Sequence, residues 1–337
     1  PFKGPLLIWA RTVVWKIGRW KSRELKEFVN AFAPDLLFIP IYYSHYIHDI
    51  NFWIKNRCGI PAVGYISDDN YSLRKISFNP LFWIDRLIMR RRLRKVFAAC
   101  DIVYTISENQ KEYLRQRFGD KFKVLTKYAE FDKSNKPAGF RPHAPLRMLY
   151  TGNLGSGRYS SLCLIAKALR QVNAHEQRIV FDIYTSTVLS ERLRSRLNTA
   201  ETTLHDAVSF EKVLELQRRA DILVHVEGLS LKERLDVAHS FSTKIVDYLQ
   251  QCKPIFVVGK DDCASIRYFI DNDSGIVAQN YDEIVRKLTA IAASPLILAD
   301  YAEKAWTCGE KNHRKSIHQE ALKNDLLNVV KQTNKTR

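Results

Sequence analysis

The feature that most constrains this chain is an alternation that occurs twice. Short apolar runs recur between longer amphipathic segments. In the first half, candidate strands at 36–41, 61–66, 102–106 and 122–126 bracket candidate helices at 47–57, 79–100 and 108–118. After a polar stretch the pattern restarts. Candidate strands at 146–150, 178–184, 204–209, 221–226 and 254–258 alternate with candidate helices at 160–172, 189–198, 211–219 and 243–251. Segments 264–271, 274–278 and 282–292 extend the series, and the tail from Leu296 is helical and polar. Repeated βα units of this kind build parallel sheets with helices on both faces. The stretch 133–145 holds three prolines and one glycine and reads as a linker. The expected architecture is therefore α/β with two successive doubly wound domains, 1–135 and 146–310, and a polar helical tail, 311–337. Such sheets bind ligands at the carboxyl ends of their strands, here in the cleft between domains.

Composition bounds the rest. A chain of 337 residues has room for two ordinary domains. Its 46% apolar and 26% charged residues exclude a disordered chain, a coiled coil and a collagen-like repeat. No run of about 18 apolar residues is present, so no transmembrane helix is expected. The net charge of +17 calls for an anionic partner: nucleic acid, a phosphorylated ligand or an anionic membrane. The six cysteines form no C-x-x-C pair and no zinc spacing. They read as reduced, mostly buried thiols, which favours a cytosolic compartment. The chain starts at Pro1 with no signal peptide and no initiating Met, as a fragment or processed product would.

Two constellations carry chemistry. The turn at 151–158 (Thr-Gly-Asn-Leu-Gly-Ser-Gly-Arg) joins a strand to a helix. Its glycines let backbone approach a phosphate, and Arg158 adds a planar cationic fork suited to diphosphate. The spacing is neither G-x-G-x-x-G nor a Walker A loop, and a ligand-free βα turn is the competing reading. In the second constellation, Ser242 and Thr243 precede a helix as candidate caps. Lys244 lies in the first turn, where the helix dipole disfavours a cation and a bound anion would relieve the conflict. Asp247 follows on the same face, where a carboxylate could accept hydrogen bonds from a ribose. A capped surface helix is the competing reading.

At these residues a resemblance enters. The turn 150–158, the stretch 241–255 with its Ser-x-Lys, Asp-Tyr-Leu and Cys-Lys-Pro elements, the strand 101–108 and the Ala33-Pro34-Asp35 approach to the first strand together resemble glycosyltransferase family 4, of the GT-B fold. The resemblance runs from about Pro34 to about Ala292. It implies two Rossmann-like domains facing a cleft, the second binding a nucleotide-diphosphate sugar. Gly152, Asn153, Arg158, Ser242, Thr243 and Lys244 would then meet the diphosphate and Asp247 the ribose. The implied reaction is hexosyl transfer with retention of configuration, with no cofactor and no metal. The acceptor would be a glycan or a lipid-linked molecule in polysaccharide or lipopolysaccharide assembly.

The chain departs from that pattern in two places. Where the family commonly carries two glutamates eight positions apart, this chain has His239 and Asp247. Glu227 is a nearby carboxylate out of register. Before Pro34 there is neither a strand nor a Gly-rich loop. Residues 1–29 read as one basic, Trp-rich connecting segment, so the first domain is expected to be incomplete.

The loop 67–70 (Ser-Asp-Asp-Asn) follows a strand, and Asp68 or Asp69 could act on an acceptor hydroxyl as general base, with Asp68 preferred. An Asp-rich turn is the alternative. Asp68 and His239 are thus the catalytic candidates. His45-x-x-His48-Asp49 lacks a third placed ligand for a metal. In 81–97, apolar residues beyond one stripe precede Arg90, Arg91, Arg92, Arg94 and Lys95. That combination suits peripheral docking on the cytoplasmic face of an anionic membrane, while a core helix with a solvated basic end is the alternative. Two other function classes compete. A nucleotide-sugar 2-epimerase has the same fold, but its carboxylate and His set is not recognisable here. A nucleic-acid binder would suit the charge, yet no such module is visible and no nucleic-acid partner is expected.

Overall fold

A computed structural model describes residues 5–137 and 139–336. The chain divides into two compact units, Pro1–Thr126 with Gln319–Arg337, and Lys127–His318. The first unit holds α1 (Pro5–Ile17), α2 (Arg23–Phe32), β1 (Leu37–Pro40), α3 (His45–Cys58), β2 (Ala62–Ile66), α4 (Pro80–Ala99), β3 (Ile102–Thr105), α5 (Glu108–Phe118) and β4 (Phe122–Val124). The second holds β5 (Leu146–Thr151), α6 (Arg158–Val172), β6 (Ile179–Thr185), α7 (Glu191–Leu197), β7 (Thr202–Asp206), α8 (Phe210–Arg219), β8 (Ile222–Val226) and α9 (Leu231–Val237). It continues with α10 (Lys244–Gln250), β9 (Ile255–Val258), α11 (Ala264–Asp271), β10 (Ile276–Ala278), α12 (Tyr281–Ala293) and α13 (Ile297–His313). The last helix, α14 (Lys315–Thr336), returns to the first unit from Gln319 onward.

In the first unit the four strands are parallel and lie in chain order, β1-β2-β3-β4. One face is covered by Met89, Leu93, Val96 and Phe97 of α4 and Leu114 of α5. The other face carries Val63 and Tyr104, and it is covered from far along the sequence by Leu322, Leu326 and Val329 of α14. Those three positions follow helical spacing and form one stripe. The Tyr104 hydroxyl donates to Asp325 at 2.8 Å, which fixes the rotation of that helix.

In the second unit six parallel strands run in the order β10-β9-β8-β5-β6-β7. The chain starts at β5 in the middle and builds outward to β7. It then crosses back to β8 on the other side of β5 and builds outward to β10. The winding reverses between β5 and β8, and loops leaving those two strands diverge and open a crevice. Leu162, Ile165 and Leu169 of α6 with Ile284 and Leu288 of α12 cover one face. Ile245 and Leu249 of α10 with Trp306 of α13 cover the other.

Three expectations are revised. Residues 1–4 lie outside the described residues, and 5–29 are not a connecting segment but hold α1 and most of α2. Ser22 accepts from the Leu25 N–H and caps α2, while the Trp9 indole donates to Asp85 and the Trp15 ring stacks on Tyr46, holding α1 on the sheet's helices. The stretch 133–145 lies along the second unit: Lys136 pairs with Glu303, Phe140 packs on the core and the His143 ring meets Asp221. The crossing between units falls earlier, after Thr126. Helix α9 was not expected, and a reciprocal Ser230–Glu233 capping box starts it.

Candidate functional site

The site is built at the switch point of the second unit, from the loops that leave β5 and β8. β5 ends at Thr151, and the loop to α6 is held in shape by its own polar groups. The Tyr150 hydroxyl donates to the Asn153 carbonyl at 2.6 Å, and the Leu154 N–H donates to Thr187 Oγ1 at 3.0 Å. Gly157, at φ +79°, turns the chain into α6. An added Cβ there would lie 2.2 Å from the Glu233 carboxyl carbon, so glycine is required twice over, for conformation and for room.

Arg158 opens α6, and its guanidinium forks. One arm donates to Asn153 Oδ1 at 2.9 Å and the other to Glu227 Oε2 at 3.2 Å. Glu227 follows β8 and is almost fully buried. Burial raises its carboxyl above the ordinary range, and the Arg158 charge opposes that shift. His225 Nε2 stands 3.5 Å from the other Glu227 oxygen. Burial, then the charges of Arg158 and Lys244, hold His225 down to about 3, so its ring is neutral.

Lys244 comes from α10 on the opposite face of the crevice. Its ammonium donates to the Thr151 carbonyl at 3.0 Å. Burial, and next the Arg158 charge, lower its pKa. Gly152 makes this approach possible: an added Cβ would lie 2.1 Å from Lys244 Nζ. The expected hydroxyl caps are absent at α10. Thr243 occupies the N-cap position in helical conformation and makes no side-chain cap bond. Its hydroxyl, with that of Ser242, lines a cavity instead.

That cavity, of about 260 Å³, is lined by Asn153, Arg158, Glu227, Ser242, Thr243 and Lys244, among others. A second recess of about 320 Å³ adjoins it and shares Asn153 and Lys244. Tyr184, Val208, Phe210, Val213 and Leu214 make it largely apolar, with Gly152 and Asp247 at its wall. Asp247 accepts from the Lys127 ammonium. Two cations and two hydroxyls beside an apolar slot suit an anion joined to a flat, less polar group.

All seven residues read from the sequence as ligand-binding (Gly152, Asn153, Arg158, Ser242, Thr243, Lys244 and Asp247) thus line two adjoining recesses. His239 is buried in the same loop as Ser240, and it is not among the residues lining either recess. Asp68 lies in the first unit, exposed beyond β2, its carbonyl accepting from Gln110 Nε2 at 3.0 Å. Its neighbour Asp69 is structural: it is buried, accepts the Ser72 N–H and faces Arg86 at 3.3 Å. His45 faces Asp85 and His48 faces the Tyr42 carbonyl. Among the described residues no group of three or more His, Cys, Asp or Glu could hold a metal ion.

Two parallel sheets, of four and six strands, with a polar crevice at the switch point of the second, are the GT-B fold found in glycosyltransferases. No protein-family profile matches the chain, and no curated protein sequence matches it. Solved structures match it in shape. TarM does so at 11% identity over 90% of this chain and 57% of that one, with a TM-score of 0.64. The pneumococcal O-GlcNAc transferase GtfA, solved with UDP and GlcNAc, does so at 12% identity over 92% of this chain and 59% of that one, with a TM-score of 0.61. WaaG, a glycosyltransferase involved in lipopolysaccharide biosynthesis, matches at 12% identity over 95% of both chains, with a TM-score of 0.51. The chain therefore spans less than two thirds of the length of TarM and of GtfA.

Proposed function

We propose that this chain is a retaining glycosyltransferase. It would take a hexosyl group from a nucleotide-diphosphate donor held in the second unit and pass it to a glycan or lipid-linked acceptor, in cell-surface polysaccharide or lipopolysaccharide assembly. The observation that carries the reading is the placement of the Lys244 ammonium beside a glycine-made gap, facing a cavity that Arg158 also lines. In this reading the diphosphate lies between Lys244 and Arg158 and accepts from Ser242 and Thr243. The ribose meets Asp247, and the base enters the apolar recess against Tyr184 and Phe210.

The electrostatics support that order. Lys244 is pushed toward its neutral form by burial and by Arg158. A diphosphate would reverse that pressure and hold both cations charged. As the sugar leaves, negative charge grows on the diphosphate, where two fixed cations stabilise it most. Glu227, rather than His239, stands as the carboxylate at the cavity wall, and Asp68 as the base for the acceptor hydroxyl. No metal is assigned a role. UDP in the GtfA structure, and UDP with glucose in the structure of Anabaena HepE, support uridine nucleotides as the first donors to try.

Docking at the cytoplasmic face of an anionic membrane belongs to the same reading. Ile84, Leu87 and Ile88 of α4 are exposed in the same helix as exposed Arg91, Arg94 and Lys95. All six cysteines are free thiols, four of them buried, in keeping with a cytosolic setting. No described helix is long and apolar enough to cross a membrane.

Thermal shift with UDP, GDP, CMP, ADP and their sugars tests the donor site. A ligand of the native state must raise the melting temperature. One nucleoside diphosphate is expected to do so well below millimolar concentration. No shift with any of them refutes the reading.

A further inference from the structure

A recess of about 1020 Å³ lies in the first unit, where α1 and the turn after it meet α3. Its walls are aromatic. Trp15 and Tyr46 stack at 4.6 Å, and Trp20 meets Trp53 edge-on at 5.7 Å. All four rings are half-buried. Its rim is basic: Lys16, Arg19, Lys21 and Arg57 line it and are exposed. Lys21 sits over the Trp20 ring and Arg57 over the Trp53 ring, and Arg57 Nε donates to Asn30. Among the described residues no carboxylate pairs with any of these four cations. The one acid in the lining, Asp49, is held by Arg92. The recess therefore carries uncompensated positive charge over aromatic walls. Its wall is also anchored, since the Trp9 indole donates to the buried Asp85 at 2.7 Å and ties α1 in place.

This combination selects a ligand chemistry. A pyranose presents an apolar C–H face to an indole, and its hydroxyls remain toward water at the rim. A carboxylate or phosphate on that sugar pairs with arginine or lysine. The volume is at the upper end of small-ligand sites, about 300–1,000 Å³, which leaves room for more than one ring. A nucleic-acid strand would want cations along a track, whereas here the four cations line a single recess. We infer that this recess binds an acidic saccharide, sugar rings bearing carboxylate or phosphate groups, as the acceptor segment of the transfer. The inference rests on the glycosyltransferase reading for that last role. The sugar could come from a free glycan or from a lipid headgroup, and the test separates the two.

The test is calorimetric titration of the whole chain with trigalacturonate, with maltotriose as the neutral control, and with oligouridylate and phosphatidylglycerol vesicles as competing classes. Trigalacturonate should bind at least about tenfold tighter than maltotriose, the worth of roughly one charge-assisted contact. The doubly reversed variant Arg19→Glu, Lys21→Glu should lose about a hundredfold, and Trp53→Ala at least tenfold. Vesicles dock through α4 in the proposed reading, so they should not compete with trigalacturonate, and a glycolipid bearing the same trisaccharide should bind tighter than the free sugar only if a lipid headgroup is the source. Equal affinity for the neutral sugar, silence with trigalacturonate, or binding of only oligouridylate or only vesicles overturns the inference. A UDP melting shift on each variant checks that it folds. A UDP shift with trigalacturonate silent sinks this inference alone. Trigalacturonate binding without any nucleotide shift sinks the donor reading and leaves an acidic-glycan site standing.

Discussion

Gly152→Ala is the substitution that most directly probes the arrangement around Lys244. The backbone at Gly152 is not in the left-handed region, so alanine is compatible with its backbone conformation. The new methyl, however, would sit 2.1 Å from Lys244 Nζ and 3.0 Å from the Tyr150 hydroxyl. The tyrosine need give only a few tenths of an ångström. The ammonium must leave, and with it goes its 3.0 Å bond to the Thr151 carbonyl. If Lys244 meets a diphosphate from that position, the variant loses a hydrogen bond to a charged group, about 1.5–3 kcal/mol or roughly 10- to 150-fold in Kd. Titration calorimetry should find this loss for the nucleoside diphosphate and almost none for the nucleoside. The decisive readout is the cycle with Lys244→Ala. Because alanine at 152 acts by moving Lys244, the double variant should be no worse than Lys244→Ala alone. Additive losses, or a nucleoside affinity that falls equally, would refute the reasoning.

Other consequences are open to direct measurement. Arg158→Ala leaves Glu227 buried without its cation and should cost about 3 kcal/mol, at the low end for a broken buried pair because Arg158 is partly exposed. Arg158→Ala with Glu227→Gln should recover much of that melting temperature, and no recovery would remove the pair from the structure's energetics. His225 is held down to about 3, and His48 and His313 to about 4, in each case chiefly by burial. The unfolded chain then binds more protons, so their stabilisation is complete above about pH 6.5 and is lost as pH falls toward 4. Urea midpoints should drop from pH 7 to pH 5, and His313→Asn should shrink that drop. Gly309→Ala would put a methyl 2.2 Å from the fully buried Phe131 ring and should cost about 1–3 kcal/mol by overpacking, read as a lower melting temperature.

The sheet and its crevice could be read from local signals because both are local in origin. β5, the glycine turn and α6 are contiguous, as are Ser242, Lys244 and Asp247, and apolar period with turn chemistry marks such segments. Glu227 was visible only as a carboxylate out of register. It reaches Arg158 because β8 pairs with β5 across the switch point, which no local pattern announces. Lys127 meets Asp247 for the same kind of reason, from 120 positions away. The caps expected of Ser242 and Thr243 failed because α10 is entered in helical conformation, leaving no turn for a hydroxyl to close. In α1 tryptophans and cations blur the apolar stripe, whereas α2 carries a clear amphipathic period that a connecting segment would not need. What orders α1 is the Trp9 and Trp15 contacts to distant elements.

The return of α14 to the first unit has a consequence for the order of events during synthesis. Val63 and Tyr104 leave the ribosome before the second unit, but the helix that covers them is made after it. The face they occupy must wait, uncovered, while the whole second unit emerges and folds. A chain cut before α14 would therefore wound the first unit. The growing polypeptide is open to chaperones and proteases on that face until α14 is released.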